Sequence, residues 1–390
     1  MHSIKSRISA VLVLAVLLGL SIQGLAQEKN KDKDKEKPKK GFLSAFKDSE
    51  DGAFDMSDWL LQKKGFLLMP TIVTEPAIGY GLAGALVWFH SSYSENGPPS
   101  MSGVIGAYTE SDTWAAGAFH YGFWKKDRIR YQGMLVRTIL NVNYYGSGNI
   151  AILGGRSINL NMNAWYLHQQ LTFRLGHSNF FAGARYELMP TDNTFEIPVE
   201  APGFSGQTMK STLSEASGLL VFDSRNNVFT PTKGVYLELS GTYSDTWFGG
   251  DALYGRVNAV ALGYFPAGDR VNVGFRYDVN FSLGDIMFWA RPWINLRGVP
   301  QMKYQNRNTA VMEGEVDWNV YKRWTVLAFA GLGTAFNSFG DFDTGKSARA
   351  LGTGFRYKIA RKLGMDMGMD FAWSNDDFAF YLVMGTAWSR

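Results

Sequence analysis

At 390 residues, with 43 glycines, 15% aromatic and 19% charged side chains, the chain has room for one large β domain or two ordinary ones. It contains no cysteine, which excludes a disulfide framework and thiol-ligated metals. Its net charge of +4, much of it from one local segment, gives no support to nucleic-acid binding.

The chain opens on an address. Lys5 and Arg7 precede an apolar run from Ile8 to Leu20, and Gly24-Leu25-Ala26 offers small residues before Gln27. The pattern is that of a cleaved secretory signal peptide over residues 1–26. As a membrane anchor the run falls short of the roughly 20 residues a spanning helix needs. Residues 27–41 interleave lysines with acids and have nothing apolar to bury, so a charged disordered tether is expected; the alternating signs weaken a polybasic surface-binding role. In residues 42–64, Met56, Trp59 and Leu60 lie at helical spacing with Ser57 and Asp58 near the start, the mark of a short amphipathic helix. Whether it caps a barrel, plugs it or lies on a membrane is left open by its residues.

From residue 65 to 390 the pattern becomes two-residue alternation in runs broken by turn clusters. Val271, Val273, Phe275, Tyr277 and Val279 face one way and Asn272, Gly274, Arg276, Asp278 and Asn280 the other. Further on, Met312, Val316, Trp318 and Val320 oppose Glu313, Glu315, Asp317 and Asn319. A soluble sandwich does not explain the strand length, since about ten residues per strand is what a tilted strand needs to cross a bilayer. In lipid an open edge would leave unpaired backbone groups, so the sheet must close. The expected fold is all-β, a transmembrane antiparallel barrel of about sixteen strands. Connections alternate between short, as at Lys125 to Arg128 or Arg361-Lys362, and long, as at Tyr144 to Arg156, Thr191 to Met209 and Asn337 to Lys346. Short turns belong to the periplasmic side and long loops to the outside.

The longest punctuated connection runs from about Gly284 to Asn308 and holds Leu296-Arg297-Gly298-Val299-Pro300. Earlier, Phe222-Asp223-Ser224-Arg225-Asn226-Asn227 leads into Pro231-Thr232-Lys233-Gly234. In these two motifs, in this order, the chain resembles the BamA/TamA family of outer-membrane assembly and translocation barrels. The resemblance covers residues 65–390 and implies sixteen strands, an arginine-glycine motif in the sixth extracellular loop, and help in inserting or exporting proteins or lipoproteins. It also implies localisation in the bacterial outer membrane, with membrane lipids and client proteins as partners. The chain departs from the family pattern at Val299-Pro300, where an aromatic usually follows the glycine, and at Gly331, where the family places an inward aspartate. Between Gln27 and Gly65 there is no room for the periplasmic POTRA domains of the family.

A loop folded into the lumen would bring Arg297 with it, and a dehydrated guanidinium is costly unless paired with carboxylates. Glu313 or Glu315 on the adjoining strand is the expected acceptor, with Asp366 or Asp370 as alternatives; the competing arrangement points Arg297 into water outside. Asp223, Arg225, Pro231 and Gly234 are expected to fix a turn. Gly79-Tyr80-Gly81-Leu82-Ala83-Gly84 matches a dinucleotide fingerprint by letters, but a strand continues where a helix should begin. The five histidines show no metal-ligand spacing, and His120 and His168 read as wall residues rather than parts of a hydrolase, so no catalytic residue, cofactor or metal is expected. Pro70 in the first strand and Gly385 in a last strand running from Phe378 to Trp388 mark a weakly bonded seam through which a client strand could pair. The alternative function is a passive pore for ions or small solutes.

Overall fold

A computed structural model describes residues 46–61, 66–90, 98–144, 158–196, 208–375 and 377–388. The signal peptide and the charged tether lie outside the described residues. Helix α1 is Ser57–Leu61. The wall comprises β1 (Phe66–Val73), β2 (Gly81–Phe89), β3 (Met101–Thr109), β4 (Trp114–Trp124), β5 (Ile129–Tyr144), β6 (Ile158–Arg174), β7 (Phe180–Glu196) and β8 (Thr208–Asp223). It continues through β9 (Gly234–Ser244), β10 (Tyr254–Pro266), β11 (Val271–Gly284), β12 (Asn308–Tyr321), β13 (Trp324–Phe336), β14 (Lys346–Ala360), β15 (Met365–Ser374) and β16 (Phe378–Met384). Each strand pairs antiparallel with its sequence neighbour, giving one sixteen-stranded sheet curled towards closure. Alternation explains its two faces: Phe275, Tyr277, Met312, Val316 and Trp318 stand exposed on the lipid side, while Arg276, Asp278, Glu313 and Glu315 are buried inside.

The lumen is filled in three layers. At the outer mouth the first half of the β11–β12 loop, with Ile286, Trp289 and Ala290, packs on Val142, Tyr144, Leu160, Met162 and Leu213 from the long β5–β8 hairpins. A middle layer carries ion pairs. At the periplasmic mouth Leu60 of α1 joins Leu67, Val87, Phe89, Ile359 and Leu363 in an apolar cluster.

Two features differ from the sequence expectation. The last strand ends at Met384 rather than reaching Trp388. Gly385, at φ +74°, turns the chain inward, and a Cβ there would meet the Phe229 carbonyl oxygen at 2.3 Å, so only glycine fits. Trp388 is consequently buried, its ring 6.1 Å from that of Tyr264. The β8–β9 connection, residues 224–233, is not a tight periplasmic turn. It crosses the barrel mouth from the opposite wall: Asn227 Nδ2 donates to the Leu363 carbonyl (3.1 Å), Thr386 N donates to the Phe229 carbonyl (2.8 Å), and Phe229 packs edge-on against Phe89.

The amphipathic segment caps two periplasmic turns. Arg323, between β12 and β13, donates to Asp51 (2.8 Å), Asp55 (2.7 Å) and Asp48 (2.7 Å). Arg361, after β14, donates to Asp48 at 2.8 Å, and Lys362 N donates to Ser57 Oγ at 3.0 Å. Hydrogen bonds from Arg361 hold the Asp48 carboxyl below its ordinary range, and those from Arg323 do the same for Asp51. For Asp55 burial opposes ionisation, but donors from Ser57, Arg361 and Arg323 outweigh it and lower its pKa as well. Depressed carboxyl pKa values contribute stability that is complete above the unfolded value near 4 and is lost as pH falls through the folded values. Amide exchange in residues 46–61 is therefore expected to be flat from pH 8 to about pH 5 once corrected for intrinsic rates, and to rise below about pH 4. Arg323→Ala should raise it at least tenfold at neutral pH, read by hydrogen-exchange mass spectrometry.

Candidate functional site

The centre of the lumen is organised by Arg297, carried down by the β11–β12 loop. The loop can lie against the wall because the wall is small there: a Cβ on Gly331 would meet Leu296 Cδ2 at 2.6 Å, and one on Gly333 would meet Ile294 Cγ2 at 2.4 Å. Gly331 is thus the bed of the loop in place of an acid. Gly298 turns the chain at φ +83°, a left-handed conformation, with Ala372 directly beneath it. Its N–H donates to Tyr381 Oη (2.9 Å) and its carbonyl accepts from Ser374 Oγ (2.6 Å). Val299 is buried beside Ile294 and Leu296, occupying part of an apolar slot formed with Val311, Ala335, Ala348 and Ala350.

Arg297 Nε donates to Glu313 Oε1 at 2.7 Å and Nη1 to Asp370 Oδ2 at 2.8 Å, while Glu315 Oε2 lies 2.6 Å from Nη1. Its guanidinium sits 3.5 Å above the Phe329 ring. The acids are shared: Arg356 donates to both oxygens of Asp370 (2.6 and 3.1 Å), and Arg276 Nη1 lies 3.6 Å from Glu313 Oε2. Trp388 Nε1 donates to that same Glu313 oxygen at 2.7 Å. Three guanidinium groups therefore face Glu313, Glu315 and Asp370, and the tail of the chain is tied to the same group. Asp366 makes no contact with Arg297; it faces Lys358 across the β14–β15 ladder.

The second motif forms its own ion chain at the periplasmic end. Asp223 accepts from Arg225 Nε and Nη2 (2.9 Å each) and from Arg130 Nη1 (2.6 Å); Arg130 also binds Asp127 at 2.7 Å. Gly234, at φ +109°, passes so close to Ser224 that a Cβ would meet its carbonyl oxygen at 2.3 Å. Pro231 is buried where the crossing loop returns to β9. Arg130 and Asp127 lacked any motif in the sequence, so register alone brings them to this chain.

At the seam, among the described residues no ladder joins β1 to β16. The edges meet through Thr74, whose hydroxyl contacts the Phe380 carbonyl and accepts from Phe380 N at 3.0 Å. Pro70 pairs with Gly84 on β2 and faces outward, while Gly385 lies beyond β16, so the seam contact falls on neither. Above the seam, Glu75 and Asp377 hold the β11–β12 loop through Gln301 N (2.9 Å) and Lys303 Nζ (2.6 Å). A cavity of about 520 Å³ separates Arg297, Gln301 and Trp388 from the inner face of Tyr381 and Val383.

His168 faces Glu187 (3.3 Å) and Tyr166, with no serine among its contacts. Ser102 does meet His120 Nδ1 at 2.8 Å, but the third member is His90 rather than a carboxylate, and Ser102 sits inside a strand whose N–H groups serve the ladder. No cluster suited to a metal ion occurs among the described residues.

Residues 129–297 match the Omp85 superfamily domain. The fold is similar to BamA from Haemophilus ducreyi lacking POTRA domains 1-3, with TM-score 0.56 and 12% identity over 82% of this chain and 70% of that one. It is also similar to CdiB from Acinetobacter baumannii (TM-score 0.52, 9% identity, 82% of this chain and 59% of that one). CdiB from Escherichia coli gives TM-score 0.53 and 13% identity over 81% of this chain and 62% of that one. The chain thus spans about three fifths of the CdiB chains, and identities this low express a shared fold. No curated protein matches.

Removing the guanidinium would leave three buried acids facing one another. Arg297→Ala is expected to destabilise the barrel by about 3–5 kcal/mol, seen as an earlier loss of heat-resistant gel mobility. Arg297→Lys should recover only part of that, because an ammonium cannot bridge Glu313 and Asp370 with a planar fork.

Proposed function

We propose that this chain, an outer-membrane barrel carrying an Omp85 superfamily domain, assists insertion or translocation of client polypeptides by opening between β1 and β16. Omp85-type barrels work on proteins at the outer membrane, and the shared fold is consistent with that class of work. The observation that carries the finer reading is the seam. A ladder along an eight-residue strand would supply several backbone hydrogen bonds; here, among the described residues, the hydrogen bonds between the two edges come from Thr74. An edge of this kind can accept a client strand by backbone pairing, and separating it requires breaking few bonds.

The Arg297 loop supports the same reading from inside. It is attached to β12 through Glu313, to β15 through Asp370 and Ser374, and to β16 through Tyr381. The loop thus holds the terminal strand at mid-height while the rim stays lightly bonded. A passive pore would need an unobstructed lumen; here the β11–β12 loop, the crossing loop and the inward tail occupy it.

The protein has no native cysteine, so a pair introduced at Thr74 and Phe380 would be unique. With that disulfide formed, activity in inserting or exporting clients should fall at least tenfold and return on reduction. Undiminished activity in the locked protein would refute seam opening, and a large steady conductance of the locked protein in planar bilayers would favour the passive pore.

A further inference from the structure

We propose that the lipid-facing wall at the periplasmic rim of β2–β6 binds the phosphate headgroup of an anionic phospholipid in the inner leaflet. Strand register places Leu86, Val104, Ala118 and Leu135 in one row on the outer face, as the hydrocarbon requires. One row nearer the periplasm the same face reads Trp88, Ser102, His120, Gly133 and Gln169. Polar groups in a lipid-facing row belong at headgroup depth, where water and phosphate can satisfy them.

These residues are joined but not exhausted. Ser102 Oγ lies 2.8 Å from His90 Nε2 and 2.8 Å from His120 Nδ1, with the two imidazoles 5.7 Å apart. One serine hydroxyl can donate to only one ring, so whichever way the proton chain runs, the ring that accepts keeps an N–H on its other nitrogen. The Tyr131 hydroxyl donates to Gln169 Oε1, which leaves the Gln169 amide N–H groups for another acceptor. Trp124 and Tyr131 stack nearly parallel, 5.5 Å apart at 13°, beside His120. The glycines make this shelf lie flat: a Cβ on Gly122 would strike the Trp124 ring at 2.6 Å, and one on Gly133 the Tyr131 hydroxyl at 2.3 Å.

Directly below, the β4–β5 turn supplies charge. Lys125, Lys126 and Arg128 are exposed, and among the described residues none forms an ion pair with an acid. The one acid of the turn, Asp127, is buried and taken by Arg130 and Arg174. Lys125, Lys126 and Asp127 all adopt left-handed backbone (φ 52°, 60° and 59°), which side-chain-bearing residues disfavour. The turn accepts that strain in a geometry that presents three cations outward and takes the acid in. Hydrogen-bond donors at headgroup depth, a flat aromatic shelf and an unneutralised basic turn together fit a phosphate diester on an acyl-chain anchor.

The test uses the full chain in detergent micelles, titrated with phosphatidylglycerol or phosphatidylcholine and read by native mass spectrometry. Phosphatidylglycerol should be retained preferentially. The triple variant Lys125→Gln, Lys126→Gln, Arg128→Gln should weaken its retention by about a hundredfold, and His90→Leu with His120→Leu by about tenfold, both with heat-modifiable gel mobility intact. Arg270→Gln, on an exposed turn of the far wall, should change it less than about threefold. Unchanged retention in both site variants, an equal loss in Arg270→Gln, or displacement of the lipid by millimolar inorganic phosphate would overturn the proposal.

Discussion

A buried guanidinium must have its donors met, and that requirement shapes the interior of this barrel. Arg297 cannot find enough acceptors on one strand. It draws Glu313 and Glu315 from β12 and Asp370 from β15, and those acids in turn engage Arg276 and Arg356. The loop path follows from this demand: Gly298 turns it, Gly331 and Gly333 give it a bed, and Ile294, Leu296 and Val299 fill the apolar slot on either side. Sharing carries the demand further out, since Arg276 also pairs with Asp278 and Arg356 holds both oxygens of Asp370.

Bracing is concentrated inside the lumen and at the periplasmic mouth, while the rim between the terminal strands is left thin. The loop from β8–β9, coming from the far wall, reaches the turn after β14 and the backbone just beyond β16. The amphipathic segment fastens the β12–β13 and β14–β15 turns through Arg323 and Arg361. Both connections reach the two sides of the seam: Phe229 packs on Phe89 of β2 while its carbonyl accepts from Thr386, and Trp59 of α1 donates to the Phe66 carbonyl of β1 while Ser57 accepts from Lys362. The terminal edges are therefore held in place by their surroundings, and among the described residues the hydrogen bonds between them come from Thr74.

The barrel was legible because alternation with period two is a direct print of a wall with lipid on one side and a polar interior on the other, as in β11 and β12. Even register survives in such a pattern, since a one-residue slip would put Glu313 into lipid. Glu313 and Asp370 were readable as acceptors for Arg297 because they share its face; Asp366 shares that face too, and only the height of the loop in the lumen separates it from Asp370. What was not legible arises between segments distant in sequence. The crossing loop at residues 224–233 looks like a turn because its proline and glycine signals are those of turns, and its reach is set by Phe89 and Leu363. The inward bend at Gly385 was hidden for a similar reason, since alternation continues in letters to Trp388 while the backbone leaves the sheet. The Ser102 row leaves no local pattern in the sequence because its members come from five strands.

Trp388 closes a hydrogen bond to Glu313, a residue already paired with Arg297, and rests on Tyr264. The ionic centre is therefore complete only when the tail beyond β16 has folded back onto Glu313. Contacts of such sequence separation slow folding, because chain entropy is lost before they repay it. Without that tryptophan in place, Glu313 Oε2 would lack its 2.7 Å donor and keep only Arg276 at 3.6 Å. Docking of that tail takes place beside the same strand edge that stays lightly bonded in the finished barrel.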